Sequence, residues 1–413
     1  MTGGSTELRR PAGPPWGFLV SVFLVAKVLA TALGLISLWS VQGAVDLSGP
    51  GHYQGGHVGP ISMWFQWDAR WYTELARIDW FAPLSPSAQE YVDHARGDPA
   101  FAEGTPSELH RFAFAPLFPL LAKLLATVLF GHEVLAITLI VNAAFFGCLA
   151  LVYLLGREHF GNERDARWSV VALAALPMSF LFQSAMTESL FLFLVLATML
   201  LASRQQWWAA ALFGFLVALT RSTGFVLAVP LVLVAFSQQG WRFDTSAAWR
   251  GYAKALPAAL APVLGWLTFM GWCWWRTGDP LAYNHLQHAG WRIGLESPLR
   301  VVSDTFADGA SPMLAVKLVF VVGVLVALAA AARVLPVGHA VLGLLLLLLP
   351  LSIGDRWPQS ILRYLAVVYP VALVAVEGAR RRPVVAPYLV AAGVGLQAAF
   401  LIIWCYSFTG QII

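Results

Sequence analysis

Charge is what this sequence has least of. Only 12% of its 413 residues are Asp, Glu, Lys or Arg, about half the ~25% of an ordinary soluble domain. With 59% apolar residues and a mean hydropathy of +0.70, that excludes a soluble globular protein and a disordered chain alike. Cysteine is nearly absent. Cys148, Cys273 and Cys405 all fall in apolar segments without metal-ligand spacing, so neither a disulfide nor a zinc site is expected. Lysine is rare too, with 4 against 22 arginines. The net charge of +4 is spread too thinly for a nucleic-acid partner. No P-loop or other Gly-rich nucleotide loop, no His-Glu-x-x-His and no Gly-x-Ser-x-Gly elbow occurs, so nothing points to a nucleotide donor or a hydrolytic triad.

Apolar runs are plentiful, and they recur along the whole chain. A spanning helix needs roughly 20 mostly apolar residues. Eleven candidates lie at about 16–40, 133–155, 168–186, 187–203, 207–220, 223–238, 256–275, 313–333, 338–353, 360–378 and 384–406. These sequence patterns predict an all-α polytopic membrane protein, residues 1–413 forming a single integral membrane domain. No signal-peptide cleavage pattern follows the first run, which reads as a retained anchor. The stretch 112–130 is interrupted by Pro116, Pro119 and Lys123. Reading it as an interfacial or re-entrant helix leaves thirteen of the 26 basic residues on the cytoplasmic side, as the positive-inside rule favours. Sixteen of the 22 acidic residues then fall outside, with the two long polar segments at 41–132 and 276–312. The chemistry is expected on that extracytoplasmic face.

Several short polar motifs converge there. Trp64-Phe-Gln-Trp-Asp-Ala-Arg-Trp-Tyr72 surrounds Asp68 with aromatic residues, Trp67 and Trp71 among them, and adds Arg70. A carboxylate beside aromatic faces suits a general base acting on a sugar hydroxyl, and it equally suits an interfacial aromatic belt. His110-Arg-Phe-Ala-Phe-Ala-Pro-Leu-Phe-Pro119 holds two prolines that break a regular helix start, Pro116 and Pro119, with Arg111 at its entrance. His110 by itself reads better as part of a capped juxtamembrane helix. Glu188, in Met186-Thr-Glu-Ser-Leu190, is a carboxylate with little loop to carry it into water; it also suits the first turn of a helix. Arg221, in Thr220-Arg-Ser-Thr-Gly224, is isolated among apolar residues and fits a phosphate or a carboxylate such as Glu188, although a snorkelling arginine would look the same. Arg363 follows the apolar pair Ile361-Leu362 and should sit near the membrane boundary, a depth suited to a lipid-linked phosphate. Lys27, deep in the first run, reads as an interior partner or a snorkelling amine.

The order of these motifs resembles that of the PIG-V-like mannosyltransferases, relatives of GPI mannosyltransferase 2 in the GT-C glycosyltransferase superfamily. The matching stretches are Trp67-Asp68, Phe114-Ala-Pro-Leu-Phe-Pro119, Thr187-Glu-Ser-Leu-Phe191, Arg221-Ser-Thr-Gly224, and Arg363 with Pro370 beyond it. Ala115 and Phe118 depart from the family's fuller Phe-Phe-Pro-Leu-Tyr-Pro form. The resemblance implies a GT-C-type helical bundle of about 11 spans with a large first outer loop. It also implies a polyprenyl-phosphate-mannose donor, a glycolipid or glycan acceptor, inversion at the anomeric carbon, and no cofactor or metal. Asp68 would be the general base. Trp67, Arg70, Trp71, Arg111, Pro116, Pro119, Glu188, Arg221 and Arg363 would form the substrate site. A lipid or sugar transporter or flippase is the competing class; it would place polar residues near the bilayer midplane, usually in two repeated halves. A non-catalytic membrane subunit that keeps the GT-C-like fold is the third reading.

Overall fold

The computed structural model describes residues 13–41, 60–65, 67–98, 100–101, 103–307, 312–354 and 357–406. Every regular element among them is helical. Five helices are long and apolar enough to cross a membrane: Trp16–Val41, Glu133–Phe160, Ser246–Thr277, Pro312–Val334 and Val385–Tyr406. The number rises to seven if two bent helix pairs are each one span. Their outward faces carry bare aliphatic side chains, such as Val28, Leu267, Val319 and Val326, all more than half exposed. Such bands are stable only against lipid. This is an integral membrane protein.

The expected eleven spans resolve into unequal pieces. Four apolar helices are shorter than a full crossing: Glu188–Ser203, Trp207–Thr220, Ser222–Gln238 and Val337–Ser352. Sixteen residues, the length of the first of these, extend about 24 Å at 1.5 Å each, against a hydrocarbon core of about 30 Å. The segment expected to span at 168–186 is broken: one helix ends at Ala174, Pro177 intervenes, and a 3-10 turn follows over Ser179–Gln183. Proline cannot donate to the preceding turn, so the helix stops before it. At 112–130 the chain bends by 118° between Ser107–Ala113 and Leu117–Val128, so it does not run straight through.

Glu188–Ser203 is the central helix. Its sequence is apolar all round, which suits a helix with no solvent or lipid face. Thirteen of its sixteen residues are buried. It packs against Glu133–Phe160 and Trp207–Thr220. Trp207–Thr220 in turn crosses Ser246–Thr277 at Gly265, where a Cβ would lie 2.4 Å from the carbonyl of Phe215; only glycine permits that approach. The first polar segment folds into Ala69–Arg77, Pro86–Gly97 and the short His110–Ala113 helix. The second forms Ala282–Trp291 and Pro298–Ala307. These segments cap the end of the bundle at which the central helix begins.

Candidate active site

Asp68 is the N-cap of Ala69–Arg77, yet its side chain makes no capping hydrogen bond. An N-cap aspartate ordinarily accepts from the first helical turn. Here the carboxylate turns inward and its Oδ2 meets Nη1 of Arg363. The preceding residue explains the turn: Trp67 has φ +59, a left-handed conformation that costs a non-glycine residue about 1–3 kcal/mol.

Arg363 reaches from Trp357–Ala366 and donates through Nε to Oε1 of Glu188 as well as through Nη1 to Asp68. The same Glu188 oxygen accepts from Nη1 of Arg221 at 2.6 Å. Glu188 begins its helix, where the macrodipole favours an anion. Its side chain is fully buried, so two arginines are what make an ionised carboxylate tolerable there. Its Oε2 has no hydrogen-bond partner among the described residues. Arg221 leaves Trp207–Thr220 in extended backbone and stacks 4.7 Å from the ring of Tyr364. Gly224 closes that turn by donating to the Arg221 carbonyl; a Cβ on it would lie 2.6 Å from the Val217 carbonyl. The Arg-Ser-Thr-Gly motif is therefore a backbone requirement as well as a charge.

These groups sit at one end of a cavity of about 390 Å³. Trp67, Asp68, Arg70, Trp71, Arg221 and Arg363 all line it, and Glu188 lies beneath, joined through both arginines. The far end is aromatic. The guanidinium of Arg70 lies 3.8 Å from the Trp71 ring centroid, and His110 packs 4.0 Å from the same ring. His110 is buried, and burial pushes its imidazole down to about 4, with Arg70 adding to the effect.

Besides Glu188, three of the expected substrate residues lie outside this lining. Arg111 is buried and points elsewhere: its Nη1 donates to the Asp79 carbonyl at 2.7 Å. Pro116 precedes Leu117–Val128 and Pro119 lies in its first turn. They shape the bend that sets Phe114 and Phe118 edge-on around Tyr72, at 5.5 and 5.1 Å. Conversely, Tyr283, Gln287, Trp291 and Tyr364 line the cavity without having stood out in the sequence. The first three recur every four residues in the polar segment 276–312, a helical period that could have marked them as one face. Among the described residues no group of three His, Cys, Asp or Glu side chains could hold a metal ion.

No protein-family model matches this chain, and no curated protein matches it. Among solved structures it is similar to the Archaeoglobus fulgidus oligosaccharyltransferase. The match to the apo form has a TM-score of 0.44 at 14% identity, covering 95% of this chain and 56% of that one. The match to the complex with zinc and sulfate has a TM-score of 0.43 at 14% identity, covering 95% and 53%. The chain spans about half the length of the solved chains it matches.

Proposed function

We propose that this protein is a GT-C-type membrane glycosyltransferase. It moves a mannosyl residue from polyprenyl-phosphate-mannose to a hydroxyl of a glycolipid or glycan on the extracytoplasmic face. The observation that carries this is the chain Asp68–Arg363–Glu188–Arg221, brought to one cavity beside aromatic walls. The helices that deliver Glu188 and Arg221 are shorter than a bilayer core. With their other ends at the cytoplasmic boundary, the charged end lies below the outer hydrocarbon boundary, where the phosphate of a lipid-linked donor can meet it while its tail stays in lipid.

The charge count sets the order of events. Asp68 and Glu188 balance Arg221 and Arg363, so Arg70, also in the lining, leaves the cavity one positive charge for a donor phosphodiester. Arg363 accommodates it by turning its guanidinium from Asp68 to the phosphate, which leaves Asp68 free. An acceptor hydroxyl then attacks the anomeric carbon while Asp68 takes its proton. The bond from the anomeric carbon to the phosphate oxygen breaks, and that oxygen leaves with the electron pair as polyprenyl phosphate. Arg363 and Arg221 stabilise the charge that develops there. Glu188 anchors Arg221 through Nη1 and Arg363 through Nε, so the Arg363 guanidinium turns about a fixed point.

The test is incubation of the purified protein with radiolabelled polyprenyl-phosphate-mannose and a membrane extract. The expected result is label in a new glycosidic product and release of polyprenyl phosphate. Movement of the labelled lipid between leaflets without any new glycosidic bond would replace this function with a flippase.

A further inference from the structure

One cavity wall belongs to the Ala282–Trp291 helix. Tyr283, Gln287 and Trp291 share a face of it, and all three line the cavity. Eight residues at 1.5 Å each set Tyr283 and Trp291 about 12 Å apart, so this face runs from the charged end to the aromatic end. At the charged end Tyr283 lines the cavity together with Arg221 and its neighbour Ser222. At the other, the Trp291 ring stands 5.4 Å from Phe114 in an edge contact and 5.9 Å from His110.

The two ends cannot hold the same part of a substrate. A lipid-linked phosphate belongs with Arg221 and Arg363. From there, contacts run from Arg363 to Asp68, one helical turn to Trp71, then to His110 and on to Trp291. A hydroxyl held at Asp68 therefore belongs to a ring that extends toward Trp291. Both rings are partly exposed and line the cavity, but Trp71 already carries the Arg70 guanidinium 3.8 Å from its centroid, whereas Trp291 meets Phe114 edge-on and His110 at a tilt. Gln287 donates its amide nitrogen to the Ala113 carbonyl, so its amide oxygen is what it can offer a sugar hydroxyl. The helix stops at Trp291 because Arg292 takes φ +54, and the reversed chain brings Ile293 into the same wall.

We infer that the Tyr283–Gln287–Trp291 face is the acceptor-sugar subsite. Trp291 stacks on the C–H face of the acceptor's terminal ring, Gln287 accepts from one of its hydroxyls, and Tyr283 bounds the subsite where the donor phosphate begins. This assignment rests on glycosyl transfer being the reaction.

Two measurements on the full-length protein in nanodiscs test it. In the transfer assay, Trp291→Ala should raise the acceptor concentration for half-maximal rate about tenfold, the worth of one well-stacked aromatic face. The donor requirement should stay unchanged, and Trp291→Phe should restore most of the loss. In a separate experiment, saturation-transfer NMR with the soluble probe methyl α-mannobioside should show ring-proton contact to the wild type. Trp291→Ala and Gln287→Ala should each lose it, while Asp68→Asn retains it. A shift in donor rather than acceptor requirement, or undiminished probe contact in Trp291→Ala, would overturn the assignment. If the wild type binds the probe through Trp291 yet transfers nothing from the polyprenyl-phosphate sugar, glycosyl transfer fails and the saccharide subsite stands.

Discussion

The two ends of the Glu188–Ser203 helix handle charge in opposite ways. At its beginning, Glu188 is buried and paired with Arg221 and Arg363, and Arg363 continues to Asp68. Those partners are 33, 175 and 295 positions apart in sequence. At its end, Arg204 meets Glu158 at 2.5 Å with both side chains more than a third exposed. Nearby, Arg167 pairs with Glu163 and Arg381 with Glu377, each at i,i+4, while Arg380 reaches across to Asp165 at 2.9 Å with its own side chain 41% exposed. Local, wet ion pairs follow from helix periodicity and contribute little. Buried pairs gathered from across the chain carry a large desolvation cost that folding alone does not require. The contrast separates arginines paired at the exposed surface from arginines buried at the site of the proposed chemistry.

The strongest way to break this comparison is Asp68→Asn. General-base assistance is typically worth about 10²–10⁴-fold, so transfer per folded molecule should drop by that order while donor binding persists. Near wild-type transfer would return Asp68 to an aromatic belt. Next comes Arg363→Ala, which should weaken donor use about 30-fold or more, as expected for truncating a buried, hydrogen-bonded charge. Arg363→Lys should recover only part of this, because a lysine keeps the charge but loses the fork that bridges two carboxylates. Steady-state titration of donor and acceptor separately would check it.

A stability measurement sharpens the contrast directly. Arg221→Ala leaves Glu188 buried with one cation fewer and should cost about 3–5 kcal/mol. Arg204→Ala at the other end should cost no more than about 1 kcal/mol. Equal losses in detergent unfolding would erase the distinction. The smallest effect concerns His110, whose folded value of about 4 lies below the ordinary 6.5. As pH falls, the unfolded chain takes up this proton first, so stability is present above pH 6.5 and drains away between 6.5 and 4. Replacing it, as in His110→Phe, should flatten the melting midpoint across that window and leave it unchanged at pH 7.5.

Much of the site was legible because its charges are isolated. Asp68, Glu188, Arg221 and Arg363 sit against apolar or aromatic runs that give them no local partner, and a charge at that depth must find one. Arg111 looked similar, but the loop before it supplied the Asp79 carbonyl. Proximity to a motif did not reveal that side chain's direction. Trp291 and Gln287 were hidden for the converse reason: in a polar segment neither is unusual, and only their shared helix face gives them meaning.

The sequence by itself determined an all-helical membrane protein with a central helix apolar on every side, because hydrocarbon leaves the backbone few alternatives and a uniformly apolar helix has no other place to go. It also determined which charges would need partners. Tertiary structure alone decided which partner each one found. That choice depends on how short helices, a 118° bend and a glycine-tight crossing bring chain ends together, and no local pattern encodes a distance between residues 295 positions apart.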